Sequence, residues 1–246
     1  MQKIIFVLVL WANIQYVFAQ KLEGGTTQTA EEIIAKAVEA RGGSQKLQNL
    51  KSVTMEGVVN IMGMDIPMKS IVIHKRGMRN DMEIMGAKIT MAIDGDKGWI
   101  INPLQGGTSA VEMPAEQLQS ASSQLDLTGG LLSYKENGLT PEYIGKETVD
   151  GTEAFKVKMT MKDGTVITNF FDTKTYYLIK TAGKVSAQGQ TFDLENKLSN
   201  YKLVEGVAFP HTMEANNPQV GAMTTNFTKI EVNTPIDESI FVMPKN

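Results

Sequence analysis

The sequence has no cysteine and only two histidines in 246 residues. The first absence excludes thiol catalysis, disulfide frameworks, cysteine–zinc sites and iron–sulfur clusters. The second leaves little from which to build a histidine-rich metal site. No apolar stretch approaches the ~18 residues of a membrane-spanning helix. Basic residues are not in surplus: 24 Lys and Arg face 27 Asp and Glu, a net charge of −3. A nucleic-acid binder carries the opposite imbalance. Catalytic signatures are missing as well, with no GxSxG, HExxH, Walker or GxGxxG sequence. What remains is expected to be mostly β and non-catalytic, without a cofactor. Single all-β domains reach ~200–250 residues, and a chain this long buries a large core without covalent staples.

Residues 1–19 read as an export signal. Lys3 gives a positive start, residues 4–12 (IIFVLVLWA) are a short apolar stretch, and Val17-Phe18-Ala19 offers a cleavage site after Ala19. A buried N-terminal strand or an uncleaved anchor is the competing reading, but the stretch is short for spanning a bilayer. Residue 20 is Gln rather than Cys, so lipid attachment at a new N-terminal cysteine is excluded. The expected product is exported and not lipidated. Residues 20–28 should form a flexible leader, and residues 29–246 one domain.

A helix is expected next. Thr29 and Glu32 have capping-box spacing, and Ala30, Ile33, Ile34, Ala37 and Val38 fall on one apolar stripe. Gly42, after Arg41, supplies the stop. Beyond Leu50 the period changes to two, with Val53, Met55, Gly57, Val59 and Ile61 on one face. Strands then follow one another, punctuated by turn residues such as Arg76-Gly77, Asp94-Gly95, Asp150-Gly151, Asp163-Gly164 and Glu205-Gly206. Short connections of this kind imply an antiparallel meander. Residues 103–138 interrupt it. They hold a helix expected over residues 114–124, and Leu125, Leu127, Leu131 and Leu132 around Gly129-Gly130. They read as an insertion that covers something. A single sheet of so many strands must twist and curl around its apolar face.

Methionine is concentrated on the early strands. Met55, Met62, Met64, Met68, Met78, Met82, Met85 and Met91 fall between residues 55 and 91. Met is flexible and polarizable and suits surfaces that refit different apolar partners. One reading is a wall of an adaptable cavity; a merely Met-rich core is the other. Thioethers also select Cu(I), and Met62-x-Met64 and Met159-x-Met161 place sulfurs in pairs, with His74 and His211 as possible nitrogens. Their spread over several strands weighs against copper, and no metal is expected. Asp94-Gly95-Asp96-Lys97-Gly98 begins like a calcium loop, but Gly98 and Gln105 stand where further ligands are needed, so it reads as a turn.

The order of features resembles the periplasmic outer-membrane lipoprotein carrier family (LolA-like), together with outer-membrane lipoprotein-sorting proteins. Two stretches carry the likeness most closely: residues 94–103 (DGDKGWIINP), and residues 201–210 (YKLVEGVAFP) with Ile236-Asp237 and Phe241. The resemblance implies a mainly β fold, an unclosed half-barrel with an α-helical lid over an apolar cavity. It implies a carrier that binds the acyl chains of lipoproteins or lipids and moves them towards the outer membrane. An inner-membrane donor and an outer-membrane acceptor follow as partners. An arginine that ties down the lid is implied too; Arg41, Arg76 and Arg79 are the alternatives. The expected lid residues are Ile33, Ile34, Val38, Leu118, Leu125 and Leu127. The expected cavity wall is Met55, Val59, Met82, Ile84, Met91, Phe170 and Phe192. Two other functions remain: an interaction or scaffold module with a filled core, and a Met-rich copper-handling protein.

Overall fold

The computed structural model describes residues 28–245 apart from 163, 188–189 and 218–220. The export signal expected over residues 1–19, and the leader up to residue 27, lie outside the described residues. Helix α1 (Ala30–Ala40) begins at the capping pair. The Glu32 N–H donates to the Thr29 hydroxyl at 3.2 Å, and the Thr29 N–H donates to the Glu32 carboxylate at 2.9 Å. Two otherwise orphaned donors are satisfied in this way. The five apolar residues of the stripe are all buried. Arg41 caps the other end, and Gly42 follows with φ 122° against the carbonyl of Gly206, leaving no room for a Cβ. Helix α2 (Ser44–Gln48) adds one turn and buries Leu47.

One antiparallel sheet of thirteen strands carries the rest. Five strands come first: β1 (Ser52–Ile61), β2 (Met64–Ile73), β3 (Gly77–Ile84), β4 (Ala87–Asp94) and β5 (Lys97–Ile101). The insertion contributes β6 (Val111–Glu112) and helix α3 (Ala115–Ser122). Seven strands follow: β7 (Thr140–Val149), β8 (Thr152–Thr160), β9 (Val166–Asp172), β10 (Leu178–Ala187), β11 (Gln190–Val204), β12 (Val207–Asn217) and β13 (Gly221–Val232). Sequence neighbours pair except β6 and β7, which form the two edges, and β1 pairs with β13, so the sheet runs β6-β5-β4-β3-β2-β1-β13-β12-β11-β10-β9-β8-β7. It is not closed into a barrel. Register shifts at Glu56/Gly57, Leu178/Lys180 and Tyr143/Lys146 interrupt the ladder, and such irregularities bend strands and deepen the twist. Strand β6 was not expected: it is a two-residue edge, too short to show alternation.

Four of the hairpins turn through two residues that both have positive φ: Met62-Gly63, Met85-Gly86, Asp150-Gly151 and Glu205-Gly206. This is the type I′ geometry that fits the twist of paired strands and favours Asn or Asp before Gly. Met62 and Met85 stand where those residues are preferred, at φ 53° and 52°, and are 81% and 85% exposed. Neither packs on a cavity. Met62→Asn and Met85→Asn should each add about 0.5–1 kcal/mol, by relieving left-handed strain without loss of packing. Urea unfolding midpoints would show the gain; unchanged midpoints would mean the turns carry no strain.

The two faces of the sheet bury different things. On one, α1 packs against Val53, Phe155, Val157, Phe171, Val207, Phe227 and Ile230, the main core. Beside it, Leu118, Ala121 and Leu125 of the insertion cover Val72, Met78 and Ile93. On the opposite face Trp99 donates its indole N–H to the carbonyl of Phe241 at 2.7 Å, and Arg79 donates to that of Ile240 at 3.0 Å. The C-terminal turn Glu238–Phe241 is thereby strapped to the back of β3–β5.

Candidate functional site

The segment after Leu125 crosses the face that carries α1, and several side chains tie it down. Arg41 donates from Nη1 to the carbonyl of Thr128 at 2.7 Å and from Nη2 to that of Leu127 at 3.4 Å. The Leu127 N–H donates to His74 Nδ1 at 3.1 Å, and the Lys75 N–H donates to the Leu125 carbonyl at 2.9 Å. Asp126 accepts from the Thr128 N–H at 2.9 Å, from the Thr128 hydroxyl at 2.6 Å, and from the Ser133 hydroxyl. Of the three arginines, Arg41, at the end of α1, is the one bonded to this segment. Arg76 pairs with Asp94 and Glu238, and Arg79 pairs with Asp81.

Arg41 is held at a cost. Burial pulls its pKa down, against the opposing pull of Tyr201 and Asp126. Its Nε is buried without a hydrogen-bond partner among the described residues. Burial pushes the Asp126 carboxyl up, but the hydrogen bonds from Ser133 and Thr128 outweigh it, and the net shift is downward. The stabilisation from Asp126 is therefore complete above the unfolded carboxyl pKa and disappears as pH falls through the lower folded value. The amide signals of Thr128 and Ser133 should move in that acid window. Asp126→Asn should abolish the transition and cost the lid about 1–3 kcal/mol. A wild-type lid indifferent to acid would refute this role for the carboxylate.

Beneath the lid lies a cavity of about 580 Å³, within the ~300–1,000 Å³ of small-molecule sites. Its roof is Ile34 of α1 with Gly129, Gly130, Leu131, Tyr134 and Leu139 of the lid. Its floor is Met159, Ile167, Phe171 and Leu178 of β8–β10. Asp126, Asn137, Lys162, Asn169 and Thr181 are its polar lining. The floor is apolar because β8 and β9 alternate: Val157 and Met159 face the lid while Lys156 and Lys158 reach Glu147 and Glu142.

The expected site residues are distributed over three places. Ile33, Ile34 and Val38 lie in the main core under α1, and Ile34 reaches the cavity. Leu118 and Leu125 cover the early strands, and Leu127 touches both core clusters. Met91 packs beneath that second cover, and Met55 against the main core. Val59 is buried; Met82 and Ile84 are half-buried on β3. None of these five lines the cavity. Phe170 does not line this cavity: it packs with Val149 and Ala154 on the other face, beside the ammonium groups of Lys156 and Lys180, and Phe171 takes the cavity side. A one-residue offset reverses facing in a strand. Phe192 stands opposite Val185 on β11, and its side chain lies outside the described residues. Tyr134, Leu139 and Leu178 were not singled out, and Met161 was weighed only as half of a thioether pair. Their shared position depends on sheet order and lid path.

Among the described residues there is no group of three or more His, Asp or Glu placed to hold a metal ion. His74 Nδ1 is engaged with the lid, and His211 Nδ1 lies 3.1 Å from the Phe209 carbonyl. Met159 and Met161 both line the cavity, whereas Met62 and Met64 are exposed.

No protein-family model matches the sequence, and no curated protein matches it. Solved structures do match in fold. A LolA superfamily protein from Nitrosomonas europaea is 13% identical, with a TM-score of 0.57 over 87% of this chain and 97% of that one. A DUF1329 family protein from Desulfovibrio piger is 12% identical, with a TM-score of 0.57 over 88% and 98%. A domain from Vibrio parahaemolyticus, described as outer membrane lipoprotein-sorting, is 15% identical, with a TM-score of 0.54 over 86% and 95%. The chain has the LolA-like fold: an open, curled antiparallel sheet with helices on one face.

Proposed function

We propose that this chain is a non-catalytic carrier that shelters the acyl chain of a lipoprotein or lipid. The single observation that carries the reading is the apolar cavity of about 580 Å³ under a hydrogen-bonded lid. Each methylene moved out of water is worth about 0.8 kcal/mol. An acyl chain therefore gains strongly from a dry slot, and an empty slot left open would be a costly apolar patch. A lid held by a few polar contacts suits both states. The N-terminal pattern and the fold support export to the periplasm and delivery towards the outer membrane. An inner-membrane donor and an outer-membrane acceptor are the corresponding partners. The test is solvent extraction of the purified chain followed by mass spectrometry, with displacement of an apolar fluorescent probe as a second readout. Co-purified lipid and a displaceable probe are expected. Neither signal would leave the filled scaffold, and bound copper without lipid would leave the metal reading.

A further inference from the structure

We infer that the cavity takes an amphiphile whose polar end is anionic, and that Lys162 at its edge receives that end. This rests on the carrier reading and narrows it. Only two of the lining residues bear charge, Asp126 and Lys162. The Asp126 carboxylate is occupied by Thr128 and Ser133 within the lid. Lys162 is exposed and takes part in no ion pair or hydrogen bond among the described residues.

The ammonium group is nevertheless placed. The lysine stem lies across Gly138, where a Cβ would collide with Lys162 Cε and Cδ. Gly138 has φ 70° and donates its N–H to the Lys135 carbonyl at 2.9 Å, which closes the last lid turn. Glycine at this point gives the turn its conformation and leaves the path that the stem follows. The neighbouring Asn137 is neutral and also lines the cavity. An apolar slot with one uncommitted cation at its edge is complementary to a tail with a carboxylate or phosphate end. It is less well matched to an uncharged acyl anchor and poorly matched to a cationic one. The carboxylate and the phosphate share the relevant chemistry, anionic oxygens on an apolar tail.

The experiment displaces an apolar fluorescent probe from the full chain with four amphiphiles of equal tail length: dodecanoate, dodecyl phosphate, dodecyl maltoside and dodecyltrimethylammonium. Circular dichroism confirms that the fold persists in each. The two anionic compounds should bind about three- to tenfold more tightly than the cationic one at low salt, the range of a partly exposed charge-assisted contact. Lys162→Met should erase that preference, read as the ratio of anionic to cationic affinities within the same variant, and Lys162→Glu should reverse it. Inorganic phosphate alone should displace nothing, because the tail supplies most of the affinity; displacement by it would overturn the amphiphile assignment in favour of a free-anion site. Equal binding of anionic and cationic tails, or a preference that survives Lys162→Met, would overturn the inference and leave the carrier reading standing. Failure of all four to displace the probe, or of the probe to bind, would overturn both.

Discussion

Replacing Phe171 with alanine is expected to remove about 3–5 kcal/mol of stability and to change the affinity of the chain for apolar probes. Phe171 is fully buried in the main core and also forms part of the cavity floor. Truncating its ring withdraws core packing and enlarges the space beneath the lid. The informative control is its neighbour. Phe170 is 4% exposed, but it packs with Val149 and Ala154 on the other face of the sheet. Phe170→Ala should also lower stability by a few kcal/mol, yet leave probe affinity at the wild-type value. Urea unfolding and probe titration on the two variants separate these effects. Two equally destabilised proteins, of which only the Phe170 variant had altered binding, would reverse the facing of β9 and remove the cavity from its present walls.

That pair of residues also marks how far the sequence is legible. Helix α1 and four of the hairpins follow from local chemistry: the Thr29–Glu32 cap, the apolar stripe and two-residue turns ending in glycine act over a few residues. The unclosed sheet and the lid were accessible through strand count, short connections and the family resemblance. The facing of Phe170 and Phe171 was not, because two adjacent aromatic residues break the alternation that tells one face from the other. The Met-rich strands stand apart from this cavity for a different reason. They are β1–β4, of which α3 and Leu125 cover β2–β4, whereas the cavity opens over β8–β10. Which half of a curled sheet an insertion fills depends on the path of residues 103–138 in space. Arg41 was one of three candidates for the tether. Its distinction, two bonds to lid carbonyls across 86 and 87 residues of chain, is a long-range property.

Arg41→Met is expected to uncouple the lid from the rest of the fold. Two opposing effects meet at this residue. A guanidinium so deeply buried, with one nitrogen unpartnered, is costly to desolvate, and an apolar side chain of similar length often replaces a buried ion at little net loss. The Leu127 and Thr128 carbonyls, however, lose their donors, and a buried acceptor left unmade costs about 1–3 kcal/mol. The first effect is spread over the core around Phe209, which the guanidinium overlies at 6.0 Å. The second falls on the lid alone. Global unfolding in urea should therefore shift little, while amide exchange in the lid after Leu127 should accelerate about 10- to 100-fold. Probe uptake and release should both become faster, since a looser lid lowers the barrier in each direction. Arg41→Lys, with a single donor head in place of the fork, should fall between the two. A variant with unaltered lid exchange but a large loss of global stability would make Arg41 a packing residue, and the lid would then be held by Asp126 and His74 instead.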